Sequence, residues 1–222
     1  MLEVPAPQST HSRIILTVWS TFTRADDGLP ISREACAILL FLVTVRPPSY
    51  ILPIRLDEID FRKSIWNVPE RDGKPAYRLP LTKLAVALIR QAHSFRQSRD
   101  GDFLFPGCFN RQIPMAQTVL SRTFRRAGIA PSSLIRRPAY DLPAAAAWVM
   151  MEAGVKSGDV NAIIHRTSQH ELLRREKFIR EEDWIFERSK IALEAFEEAL
   201  MSIVGLTYSD PLFRSPRFPQ SW

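Results

Sequence analysis

The stretch that most constrains the fold is residues 35–45, ACAILLFLVTV, which carries no charged side chain and no amide. At about a dozen residues it falls well short of the roughly 20 that cross a bilayer, so it belongs inside a protein core. Ser32 stands where an N-cap is needed, Glu34 follows in the first turn, and Pro47-Pro48 cannot continue a helix. A buried helix ending at Val45 is therefore predicted, and the rest of the chain has to pack around it.

At 222 residues the chain has room for one substantial core. With 45% hydrophobic and 24% charged residues it is globular, not disordered. Seventeen Pro against eight Gly argue against a Gly-rich barrel, a collagen-like chain or a flexible linker. Cys36 and Cys108 form no CxxC and no paired Cys/His spacing, which excludes a disulfide scaffold or a structural zinc site. The N-terminus has no basic region followed by an apolar stretch, so neither a secretion signal nor a membrane partner is expected, and the cytoplasm is the predicted location.

Residues 1–13 are polar at first and read as a flexible end, with a short helix over 14–23 and turn chemistry in Asp26-Asp27-Gly28. Residues 55–68 alternate and are rich in Ile, Phe and Trp. With the turn around Gly73 and residues 76–81 they predict an antiparallel hairpin or three-strand ribbon. Thr82 is the expected cap of a helix with Leu84, Leu88 and Ala92 on one face. Further helices are predicted over 118–127 and 144–153. The clearest amphipathic one follows residue 185, with Phe186, Ser189, Leu193, Phe196, Leu200 and Val204 on one face. Residues 206–222 form a Pro-rich aromatic tail, expected to be loose or to dock on a partner chain. The predicted class is mainly α (α+β): a helical bundle with a small ribbon.

Charge is distributed unevenly. The chain has 30 Lys and Arg against 24 Asp and Glu, and between residues 103 and 140 it has six Arg and no carboxylate. A solvated face normally mixes signs, so this stretch predicts a phosphate-facing surface built on Arg111, Arg122, Arg125, Arg126, Arg136 and Arg137.

Four segments stand in one order: AILLFLVTVRPPSYILPIRLDEID, IWNVPERDGKPAYRLPLT, YDLPAAAAWVMMEAGV and EKFIREEDWIFERSKIALEAF. Together they resemble the catalytic domain of tyrosine recombinases, most closely phage and prophage integrases, over residues 14–205. The resemblance implies DNA strand breaking and rejoining by a tyrosine hydroxyl that forms a phosphotyrosine link. It implies neither metal nor cofactor, so two Arg and His or Lys groups must neutralise the transition-state charge. The family's arm-binding and core-binding domains have no counterpart here, which implies weaker and less specific DNA contact.

Carried over by residue, the resemblance assigns Arg46 to the first catalytic Arg position. The hairpin Lys falls near Arg71 or Asp72, with Lys74 out of register in the same turn. The His and Arg positions of the HxxR motif hold Tyr140 and Pro143. His165, or Arg166 after a one-residue shift, takes the later His position, and Phe178 takes the nucleophile position. Phe has no hydroxyl and Pro no donor, so the resemblance implies a DNA-binding relative unable to cut. Arg46, Arg71, Arg122, Arg125, Arg126, Arg136, Arg137 and Arg166 are its expected DNA contacts. The alternatives are an interaction module, which would reach a second copy or a partner recombinase through the tail, and a residually active recombinase. Bound to double-stranded DNA, the protein would be nucleoid-associated in a bacterial or phage setting.

Overall fold

Helix α2 (Arg33–Thr44) is the axis of the molecule, and every residue from Ala35 to Thr44 is buried. The structure, a computed structural model, describes residues 9–24, 28–71, 75–97, 100–164 and 178–214, leaving out the side chains of residue 162 and residues 178–182. The Ser32 hydroxyl caps α2 by accepting from the Ala35 N–H at 3.1 Å. Thr44 enters the core satisfied, because its hydroxyl donates to the Leu40 carbonyl at 2.7 Å.

Five helices pack on α2: α1 (Thr10–Phe22), α4 (Lys83–Ser94), α5 (Gln117–Arg126), α6 (Pro138–Glu152) and α8 (Phe178–Val204). The one-turn α3 (Pro48–Ile51) follows it, and α7 (Ser157–Ile164) lies on α6 and α8. Among the described residues a single antiparallel sheet runs in the order β1 (Ile59–Asp60), β2 (Ile65–Val68), β3 (Tyr77–Pro80). Trp66 faces Leu79 and Val68 faces Tyr77 in the register, all four buried, and β3 rests on α8. The mainly helical class with a small ribbon is the fold observed. Among the described residues no helix is long and apolar enough to cross a membrane.

Several boundaries differ from expectation for local reasons. α1 starts at Thr10, inside the segment expected to be flexible, because the Ser9 hydroxyl accepts from the Ser12 N–H at 3.2 Å. Residues 55–68 do not form one strand. A 3-10 turn occupies Leu56–Glu58, and the Asp60 carboxylate takes the N–H groups of Arg62 and Lys63, both at 3.0 Å, which folds the chain back. α6 starts six residues earlier than predicted, at Pro138, where the missing N–H has no helical partner to lose. Asp141 closes that first turn by accepting from Arg136 N–H and Arg137 N–H at 2.8 and 2.6 Å.

The tail expectation is corrected for its first half. Leu212, in the 3-10 turn Pro211–Arg214, is fully buried, and that turn packs on α4 of the same chain. Residues 215–222 lie outside the described residues. The anchor is Glu197, a buried carboxylate on α8 that accepts from the Leu84 N–H at 2.7 Å and from the Tyr208 hydroxyl at 2.8 Å. Burial, and then the bond to Glu197, push the Tyr208 phenol up to about 12. A phenol ionises near 10 in the unfolded chain, so its contribution to stability is complete below that pH and is lost as pH rises toward 12. The stability gap between wild type and Tyr208→Phe, read by urea unfolding, should therefore narrow between pH 9 and 12. A gap that stays constant contradicts the Tyr208–Glu197 bond.

Candidate nucleic-acid interface

Arg46 follows Val45, which ends α2 in the left-handed region at φ 53, a strained setting for a β-branched residue. The guanidinium is fully enclosed. One Nη donates to the Ile163 carbonyl in the last turn of α7, where helical carbonyls lack partners and a cation is favoured. Its Cζ lies 6.0 Å from the centre of the Tyr77 ring, and the Tyr50 and Tyr77 rings are 6.3 Å apart. The Arg46 Nε finds no hydrogen-bond partner among the described residues. Tyr50 and Tyr77 are themselves buried, with 5% and 7% exposure, which removes both hydroxyls from any attacking position at the surface.

The hairpin turn is tied to the same place. Arg71 forms an ion pair with Glu58 and donates to the Pro53 carbonyl at 2.9 Å and the Tyr50 carbonyl at 3.4 Å. The other oxygen of Glu58 accepts from the Trp66 indole N–H at 3.0 Å. Arg71 therefore acts as a strut between the ribbon and the segment behind Arg46, and its fork is occupied inside the protein. Lys74, the other hairpin candidate, lies outside the described residues, as do His165 and Arg166.

Tyr140 and Pro143 sit one turn apart at the start of α6, so they share a helical face, as the two positions of an HxxR motif require. Tyr140 is 68% exposed and Arg137 stacks its Cζ 5.0 Å from the Tyr140 ring. Pro143 lies inside the helix and gives no N–H to the Ala139 carbonyl one turn back. Phe178 is the first residue of α8, and its side chain lies outside the description. Tyr208 is held by Glu197 on its own chain.

Arg122, Arg125 and Arg126 occupy one side of α5, and Arg136 and Arg137 lead into α6; all five are exposed. None pairs with a carboxylate among the described residues. Arg111 differs, because it and Arg33 pair with Asp100, whose side chain is enclosed. Burial works against the Asp100 carboxylate, but the Gln97 N–H and the Arg111 guanidinium hold it below the usual carboxylate range. Between Pro47–Ser49, α5 and the start of α6 lies a cleft of about 450 Å³ lined by Arg125, Arg136 and Arg137.

No protein-family model matches the sequence. Over 141 residues, 63% of this chain, it is 24% identical to prophage integrase IntA of Escherichia coli K12, spanning 33% of that protein. The solved integrase from mycobacterium phage Brujita superposes with a TM-score of 0.55 at 20% identity, covering 91% of this chain and 64% of that one. The domain is integrase-like. The chain spans about a third of the curated relative and under two thirds of the solved one.

Two parts of this candidate site escape sequence reasoning. Glu58 sits in an alternating stretch among other carboxylates, and only the hairpin register brings it to Arg71, 13 residues away. The cleft combines three separated segments, with Pro138 and Asp141 as its one local signal, the opening of a helix. Glu58→Ala leaves a half-buried guanidinium and a buried indole N–H without their acceptor. It should cost about 3 kcal/mol in urea unfolding, and unchanged stability would refute the strut.

Proposed function

We propose that this integrase-like domain binds double-stranded DNA through the exposed Arg surface of α5 and the α6 entry, and neither breaks nor rejoins strands. The observation that carries the reading is the set Arg122, Arg125, Arg126, Arg136 and Arg137, exposed and without carboxylate partners among the described residues. Planar guanidinium forks suit phosphate oxygens, and such contacts position a protein on a duplex without reading its sequence.

The silent half of the proposal rests on residue types. Strand cleavage by this chemistry needs a hydroxyl nucleophile and donors aimed at the developing charge. Phe178 and Pro143 occupy two of those positions by resemblance, and Tyr140 occupies the His position. Removing a single transition-state donor costs on the order of 10² to 10³ in rate, and removing the nucleophile ends the covalent route. Arg46, enclosed and bonded to α7, contributes to the frame and not to the binding surface. In a bacterial or phage setting such a protein would sit on the nucleoid.

The test is a salt titration of duplex binding. If all five Arg neutralise phosphates, the slope of log K against log salt should be roughly −4 to −5, and Arg125→Gln with Arg126→Gln should flatten it by about 2. Binding that ignores salt contradicts the proposal. It would favour a protein partner instead, for which the half-exposed Trp148 and Trp184 offer apolar anchors.

A further inference from the structure

We propose that the cleft between α5 and α6 receives an unpaired nucleobase of a DNA strand, with the neighbouring backbone phosphate held by Arg136 and Arg137. This deepens the DNA-binding reading and rests on it. The cleft, at about 450 Å³, is of ligand size. Its floor includes Leu120 and Phe124, which are 3% and 4% exposed, and Arg125, Arg136 and Arg137 line it with no carboxylate among the lining residues. The nearby Asp141 directs its charge onto the N–H groups of Arg136 and Arg137, leaving their guanidinium groups uncompensated. Tyr140 borders the cleft, 68% exposed, and its ring stacks with Arg137.

A phosphate alone makes no use of an apolar floor, and a paired base has both faces already covered by its neighbours. An extrahelical base joins a flat apolar face to an adjacent anion, which matches the complement of charge and apolar surface here. Tyr140 supplies the stacking platform, and the arginines supply the phosphate contact. Opening a fully paired duplex costs unstacking energy, so the cleft selects DNA that already carries an unpaired base.

Fluorescence anisotropy at fixed salt compares four probes: a paired duplex, the same duplex with one fluorescent extrahelical purine, that duplex with an abasic site in place of the purine, and free deoxyadenosine monophosphate. The extrahelical purine should tighten binding roughly tenfold over both other duplexes, with its emission quenched by stacking. Tyr140→Ala should remove this preference and Tyr140→Trp keep it, with the fold of each checked by thermal melting. Equal affinity for the paired and bulged duplexes overturns the cleft assignment and leaves DNA binding standing. Absence of salt-dependent binding to every duplex overturns both, and free nucleotide competing as well as the bulged strand overturns the strand as ligand.

Discussion

A guanidinium sealed inside the protein sets the geometry of everything near it. Burying such a cation costs several kcal/mol unless its surroundings compensate, and a lone carbonyl is a thin return. Arg46 has the Ile163 carbonyl at the end of α7 and the Tyr77 ring of β3 at 6.0 Å, while its own backbone continues directly from the strained end of α2. Three elements far apart in sequence therefore meet at one side chain. The Glu58–Arg71 pair repeats the device a few residues away, fastening the ribbon to the segment after Arg46. Together they fix where α3, the ribbon and α7 stand.

The integrase-like frame and the chemistry associated with it can be considered separately. The frame is apolar packing around α2, to which the start of α6 contributes the buried Leu142 while Tyr140 stays exposed. Pro143 offers no donor to a charged transition state, and Tyr140 offers a neutral hydroxyl where the resemblance calls for an imidazole. The exposed arginines of α5 have no role in packing. Their single-signed surface is a property of the outside of the molecule, which is why DNA binding is proposed without cleavage.

Much of the frame was legible where local chemistry decides. Ser32 and Thr82 cap the helices assigned to them, and the period of Ser189, Leu193, Phe196 and Leu200 marks the buried side of α8. The start of α6 was not legible, because Ala144–Ala147 carry no periodicity and Pro143 reads as a stop. Residues 207–214 read as a loose tail because their anchor, Glu197, lies on another element and looks from sequence like one more solvated acid in a helix. The environment of the candidate site was not legible. Arg46 is singled out by its place before Pro47, yet only tertiary packing shows that it is enclosed, and only the register gives Arg71 its partner.

The proposal that this domain does not cleave strands is tested most directly by incubating the protein with a pool of nicked, random-sequence duplexes that trap covalent intermediates, then separating the products on a denaturing gel. The expected result is free protein and free DNA at every salt concentration, including those at which the duplex is bound. A protein band carrying covalently linked oligonucleotide would contradict it, and mapping the linked residue would show which hydroxyl does the work assigned by resemblance to the position of Phe178.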